Sequence, residues 1–116
     1  MQIKCYCNLY VSDALKKRKN QVIKALMERK FQPDVTVITL AQAEQNHLEY
    51  YSSVFLKQPY YDGKQIFVVG LASGELDAAD LVARIIQEVL DQTGATEIKG
   101  YILNQQKLFE EGNVKR

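Results

Sequence analysis

The segment 65–94 constrains the fold more than any other part of this chain. Its first part, "QIFVVGLA" (65–72), is apolar at almost every position, which predicts a central strand covered on both faces. After a turn bracketed by two glycines comes "ELDAADLVARIIQEVLDQTG" (75–94), whose broad apolar stripe predicts a deeply buried helix that Gly94 ends in a left-handed cap. A covered strand followed by such a helix is typical of an α/β domain.

Strict alternation of polar and apolar residues marks "QIKCYCNLYV" (2–11), which predicts a strand with one face towards a core. The next segment, "SDALKKRKNQVIKALMERK" (12–30), has apolar residues at helical spacing, with Lys and Arg over the remaining surface. Ser12 or Asp13 is placed to cap this helix, because either side chain can accept hydrogen bonds from its first backbone N–H groups. Pro33 ends the helix, so the chain opens with a β-α unit.

The segment 41–61 is ambiguous. Apolar and aromatic residues at helical spacing predict a helix to about residue 55, followed by a loop that carries Asp62-Gly63. The alternative is a strand over "YYSSVFL" (50–56) with "YYDGKQ" (60–65) as its hairpin turn, because Asp-Gly supplies the positive φ angles of such turns.

Two further strands complete the predicted order. "DVTVITL" (34–40) is apolar on both faces, and "TEIKGYIL" (96–103) is the last strand. The order β-α-β-(α)-β-α-β predicts a single α/β domain over 1–104, with a mainly parallel four-stranded sheet and helices on both faces, and a polar C-terminal tail over 105–116. Without the middle helix, the alternative is a two-layer ferredoxin-like α+β sandwich.

Charge is distributed unevenly along the chain. The segment 1–32 holds eight Lys/Arg and two Asp/Glu, a net charge of +6, whereas 33–116 holds seven and twelve, a net charge of −5. This polarity predicts a homo-oligomer or an acidic protein partner, with Lys16, Lys17 and Arg18 as candidate contacts. Nucleic acid is a less favoured partner, because the pI of about 7.7 lies below the value of ~9 typical of such domains.

Seven tyrosines are an unusual compositional feature. Tyr60 and Tyr61 are candidate interaction residues, because tyrosine buries a large, half-polar ring at protein interfaces. Tyr6 and Tyr10 share one face of the first predicted strand, and Tyr101 lies on the last. If these strands are neighbours, the three rings form a face like that on which RNA-binding sheets stack bases, although the glycine-aromatic pattern of those sheets is missing.

Few residues carry metal or catalytic chemistry. Cys5 and Cys7 are predicted to share one face of the first strand as small buried residues, because zinc and redox sites need other ligands or spacings. The single histidine, His47, has no nucleophile pattern beside it. We therefore predict no catalytic residue, no metal and no cofactor. Two cysteines and no apolar run of ~18–20 residues indicate a cytoplasmic protein without a membrane partner.

The turn "GLASGE" (70–75) has the outline of a phosphate site. Its Ser73 and Gly74, with Ser12 and Asp13 after the first strand, are the candidate ligand-binding residues at the carboxyl edge of the predicted sheet. Ser73 is also placed to cap the next helix. Because carboxylates in the first turn of that helix repel anions, a ligand here is predicted to be neutral or cationic.

Three functions are compatible with these patterns. The first is a small soluble interaction or regulatory module that self-associates, as a homodimer in the simplest case. The alternative is a small-ligand-binding domain or enzyme that uses the loops at the carboxyl edge of the sheet, and a second alternative is nucleic-acid binding through the basic first helix. The sequence has no nucleophile-elbow, zinc-protease or Walker pattern, which disfavours an enzyme.

Overall fold

The computed structural model describes residues 2–41, 48–61 and 63–112. The strands are β1 (Gln2–Val11), β2 (Val35–Leu40), β3 (Leu48–Ser52) and β4 (Gln65–Ser73). The α-helices are α1 (Lys19–Met27), α2 (Glu75–Thr93) and α3 (Ile98–Glu110). Short 3₁₀ helices lie at Lys16–Arg18, Ser53–Lys57 and Pro59–Tyr61. Together they form one compact α/β domain, which confirms the predicted class.

The four strands form one mixed sheet in the order β1-β4-β2-β3. Only β1 and β4 are parallel, because β2 runs antiparallel to both of its neighbours, β4 and β3. The prediction of a mainly parallel sheet is therefore wrong. A parallel neighbour needs a crossover of a dozen or more residues, and only seven residues separate Leu40 from Leu48.

The predicted helix to about residue 55 is also wrong, because β3 occupies part of that segment. The apolar spacing that suggests a helix does not mark one face: Leu48 and Tyr51 pack on opposite sides of the sheet, and Phe55 is exposed. The alternative of a strand is correct in kind, but β3 pairs with β2 and does not fold back onto β4. Asp62 of the expected turn lies outside the described residues.

Residues 98–110 form α3, so the predicted last strand (96–103) is wrong, and the predicted polar tail (105–116) is helical as far as residue 110. Residues 113–116 lie outside the described part of the chain. The buried residues of α3 are Ile98, Ile102 and Gln106. A spacing of four fits one face of a helix and one face of a strand equally well, which explains the error.

Two hydrophobic cores lie on opposite faces of the sheet. The α1 core consists of Leu15, Val22, Leu26, Val35, Val37, Leu56, Ile66, Val68 and Leu71. The α2–α3 core consists of Tyr6, Ile38, Val69, Ala72, Ala78, Leu81, Ile85, Val89, Ile98 and Ile102. Helices therefore cover both faces of β2 and β4, which agrees with the apolar pattern of these strands and excludes a two-layer sandwich.

A bulge in β1 breaks the alternation of that strand. β1 is in register with β4 at the pair Cys5–Val68 and again at Tyr10–Gly70. Between these two pairs β1 advances by five residues and β4 by only two. Cys5 consequently packs beside the α1 core and Cys7 beside the α2–α3 core. The prediction that the two cysteines share a face is wrong.

A polar network joins this bulge to α3. The Oε1 atom of Gln106 accepts a hydrogen bond of 2.8 Å from the backbone N–H of Cys7, and its Nε2 atom donates to Glu110 at 2.9 Å. Glu110 is also ion-paired with Lys4. Gln106 thus supplies the partner that the bulged strand lacks, which is why a glutamine is buried here.

The helix termini show one prediction that fails and one that holds. Neither Ser12 nor Asp13 caps α1, because a 3₁₀ turn precedes the helix and its N-cap, Arg18, makes no side-chain capping bond. At the other end of the domain, α2 stops at Gly94 with a φ of 74°, and the Gly94 N–H donates to the Leu90 carbonyl at 2.7 Å. The predicted left-handed cap is confirmed.

Candidate functional site

The carboxyl ends of β1 and β4 lie side by side. Ser12 donates its backbone N–H to the Leu71 carbonyl at 3.0 Å, two residues before Ser73. The Ser12 side chain is fully buried, and its hydroxyl has no hydrogen-bond partner among the described residues. The structure therefore brings the predicted ligand-binding residues to one edge of the sheet and leaves one buried polar atom unsatisfied there.

The turn between β4 and α2 is closed by Asp77. Its carboxylate accepts a hydrogen bond of 2.8 Å from the Ser73 N–H. Gly74, with a φ of 87°, is the N-cap, and it makes no side-chain capping bond, so the prediction that Ser73 caps the helix is wrong. Glu75 and Asp77 make the first turn negative, which opposes the binding of a phosphate.

A cleft of about 350 Å³ opens beside the end of β1, against α2. Inside it, the Tyr10 hydroxyl donates to the Glu88 carboxylate. Burial, and then this hydrogen bond, raise the pKa of the Tyr10 phenol. Lys16 and Arg84 also line the cleft. The hydrogen bond from Lys16, followed by the charges of Lys16 and Arg84, lowers the pKa of Asp13. The cleft thus presents both signs of charge.

The charge asymmetry of the sequence becomes an asymmetry across the sheet. The segment 13–34, on the side of the α1 core, contains seven Lys/Arg and three Asp/Glu, a net charge of +4. The segment 75–111, on the side of the α2–α3 core, contains three Lys/Arg and eight Asp/Glu, a net charge of −5. We call these segments the basic layer and the acidic layer. Most of their charged side chains are exposed.

Ion pairs partly neutralise the charges of two of the predicted contact residues in the basic layer. Lys16 is paired with Asp13 at 2.8 Å and Arg18 with Asp34 at 2.5 Å. Within the described part of the chain, the exposed lysines of this layer without an ion pair are Lys17, Lys19 and Lys24. These three lysines are the ones most available to an external partner.

The tyrosines of β1 belong to a packed cluster. Tyr6 is only 3% exposed, and its ring lies 6.2 Å from that of Tyr10 and 6.0 Å from that of Phe67. Tyr101 lies on α3 and packs against the same core. The three tyrosines do share a side of the sheet, but α2 and α3 cover it, so the hypothesis of an open face for stacking nucleic-acid bases is wrong.

A second cavity, of about 160 Å³, lies where β2 and β4 separate. The pairing of these strands ends at Thr39–Val68, although β4 begins at Gln65. The cavity occupies this gap, and its walls come from β2, β3, β4 and the 3₁₀ turn that carries Tyr61.

Two tyrosines form one wall of this cavity. Tyr51 and Tyr61 stack with ring centroids 6.1 Å apart and an interplanar angle of 22°. Burial raises the pKa of Tyr51 to about 12, although a hydrogen bond with Thr39 opposes the shift. Glu49 adds an exposed carboxylate to the lining. Tyr61 was a predicted contact residue, as was Tyr60, whose side chain lies outside the described part of the structure.

Glu49 and Tyr51 are the site residues that the sequence patterns miss. The signal that identifies them is the strand preference of the two tyrosines in "LEYYS" (48–52), because in a strand Glu49 and Tyr51 lie on the same side. That signal is hidden by the competing helical spacing of the same segment.

The remaining candidates from the sequence are His47 and the two cysteines. His47 lies outside the described residues. Where the structure describes the chain, it shows no group of three or more His, Cys, Asp or Glu placed to hold a metal ion. Cys5 and Cys7 are free thiols, and burial raises the pKa of Cys5.

Comparisons with known proteins identify no relative: no family model, no curated protein and no solved structure matches this chain. Within the described residues, none of the helices combines the length and the hydropathy needed to span a bilayer. The surfaces and cavities of the domain are therefore the features that bear on its function.

Proposed function

We propose that this protein is a small interaction module that self-associates through its basic and acidic layers. The observation that supports the proposal is the separation of a net charge of +4 and a net charge of −5 onto opposite faces of one sheet. Two copies attract each other when the basic layer of one meets the acidic layer of the other.

This geometry favours a head-to-tail contact over a symmetric homodimer. A twofold axis through either layer would bring like charges together. A contact between unlike layers is heterologous and leaves a free layer at each end, so it extends into short rows. The contact is salt-sensitive, because exposed charges are screened beyond about 8 Å at physiological ionic strength.

Sedimentation velocity across a range of salt and protein concentrations tests the proposal. At low salt we expect the mean mass to rise with concentration above the 13.3 kDa of the monomer, and to return to it above about 0.3 M salt. A protein that stays monomeric at low salt and high concentration, or an assembly that salt does not weaken, would refute the proposal.

Charge reversal tests which surfaces meet. The triple variant Lys17→Glu, Lys19→Glu, Lys24→Glu should be monomeric, whereas the matched arginine triple should associate like the wild type. Asp80→Lys with Asp91→Lys, in the acidic layer, should also be monomeric alone. Mixing the two variants should restore association at low salt as far as pairs, because the unaltered acidic layer of the lysine variant can meet the unaltered basic layer of the aspartate variant. Failure of the mixture to associate would exclude contact between these layers.

We also propose, as a second candidate, a small-ligand site at the carboxyl edge of β1 and β4. The cleft of about 350 Å³ supports this function, because pockets for drug-sized ligands begin at about 300 Å³. The unsatisfied Ser12 hydroxyl is buried close to this edge of the sheet but does not line the cleft. A thermal-shift screen with amino acids, nucleotides, flavins and phosphorylated metabolites tests it. A ligand at 100 times its Kd stabilises by about 2.7 kcal/mol. No shift with any compound would count against the site.

A further inference from the structure

We propose that the cavity between the ends of β2 and β4 binds a small alkylammonium cation. This site is lined by residues at the amino end of β4, such as Gln65, whereas the cleft of the second candidate function lies at the carboxyl end of the parallel strand β1. The inference therefore does not depend on self-association or on that cleft.

The lining of the cavity selects for positive charge. Among the described residues that form its walls, Glu49 carries the only formal charge, and none of them is Lys, Arg or His. The stacked rings of Tyr51 and Tyr61 add aromatic surface, whose negative faces attract alkylammonium groups. A carboxylate beside two tyrosines is a favourable environment for a cation and an unfavourable one for an anion.

The backbone adds acceptors in the gap between the strands. Gln2 donates its N–H to the Lys64 carbonyl at 2.9 Å on the β1 side. Because the peptide groups of successive strand residues alternate in direction, those of Gln65 point away from β1, towards the gap. Among the described residues none pairs with Gln65 on this side, since their last pair between β2 and β4 is Thr39–Val68. An ammonium N–H can therefore donate to the Gln65 carbonyl.

Size limits the ligand. A volume of about 160 Å³ lies below the roughly 300 Å³ at which pockets for drug-sized ligands begin. Tetramethylammonium or a short primary amine fits this space, whereas a nucleotide does not. The same alkylammonium chemistry is presented by a free amine and by a lysine side chain of a protein, so both sources are tested.

A titration followed by ¹H–¹⁵N NMR tests the proposal, with tert-butylammonium chloride as the first probe, because its N–H groups can donate to the Gln65 carbonyl. We expect saturable shifts confined to the lining residues and their immediate neighbours, at 39–40, 49–51, 61 and 65–67. Sodium chloride at the same ionic strength and tert-butanol, a neutral molecule of similar shape, should not reproduce them. Nα-acetyl-lysine amide, which keeps its charged ε-ammonium group, is compared with the uncharged Nα-acetyl-norleucine amide to test the second source. Binding of the lysine compound alone assigns the site to lysine side chains as well. Its failure to bind assigns the site to free amines.

Two variants test the cause of binding. Glu49→Gln keeps the shape of the exposed side chain and should weaken binding about tenfold by removing the charge. Glu97→Gln removes an exposed carboxylate elsewhere and should bind like the wild type. The proposal is overturned if Glu49→Gln binds equally well, if tert-butanol binds as well as the cation, or if no saturation occurs up to about 100 mM probe.

Discussion

Replacing Gln106 with methionine isolates one hydrogen bond in the docking of α3 onto β1. Methionine has nearly the same length and fills the same buried position, but it cannot accept the 2.8 Å hydrogen bond from the Cys7 N–H. The backbone donor at the β1 bulge is then left without its partner. The variant therefore measures the loss of that partner with little contribution from a cavity.

The expected loss of stability is about 2 kcal/mol, since an unsatisfied buried donor costs roughly 1–3 kcal/mol. Gln106 is 8% exposed, which keeps water from replacing the amide. The lost bond to Glu110 adds little, because the Glu110 side chain is 45% exposed and water can satisfy it. With a typical urea dependence of about 2 kcal/mol per molar, the unfolding midpoint should fall by about 1 M urea.

Equilibrium unfolding in urea, followed by circular dichroism, measures this change. The matched control is Gln105→Met, the same substitution at the neighbouring half-buried position on α3, which should lie close to the wild type. Hydrogen exchange of the Cys7 amide should accelerate in Gln106→Met and not in the control. A difference between the two variants below about 0.5 kcal/mol would show that the bond does not hold α3 in place.

Three further perturbations follow from single contacts. Gly70→Ala should lose about 1–3 kcal/mol in thermal unfolding, because the new Cβ would lie 3.3 Å from the backbone carbonyl of Tyr10; an unchanged melting temperature would contradict this. The pKa of Tyr51 is raised from 10.0 to about 12, so its contribution to stability is complete below pH 10 and is lost as the pH rises to about 12; ordinary phenol titration in the folded protein would contradict it. The hydrogen bonds from Gln106 and then Lys4 lower the pKa of Glu110 below 4.5, so stability should fall as the pH drops through that region, but only slightly, because solvent screens this exposed group, and less steeply in Glu110→Gln.

The segment 65–94 was the most predictable part of the fold, for a physical reason. β4 is covered on both faces and α2 is buried along a broad stripe, so each element carries its own complete pattern. The glycine at the end of α2 is a local signal as well, because a left-handed residue favours glycine wherever it occurs. β4 and α2 can therefore be predicted from their own residues, without knowing which distant residues they contact.

The errors arose where the local pattern depends on a distant partner. Gln106 lies in a polar segment that resembles a tail, and its burial follows from the Cys7 N–H, which is 99 residues away in sequence. The bulge that exposes this N–H also moves Cys7 to the other face of β1, although the sequence alternates without interruption. An alternating pattern shows that a segment is a strand, but it does not show where the register shifts.

The candidate cation site depended on one of these assignments. In a strand, Glu49 and Tyr51 lie on the same side. In a helix, two residues two positions apart are related by a rotation of about 200° about the helix axis, so they lie on nearly opposite sides. The helical interpretation of 41–55 therefore separated the carboxylate from the aromatic wall that β3 brings together. The gap has a different origin: among the described residues, the pairs between β2 and β4 stop at Thr39–Val68, before the first residues of β4. The placement of Glu49 beside Tyr51 in the wall of the cavity thus follows from the assignment of one five-residue strand, whereas the gap follows from where β2 stops pairing with β4.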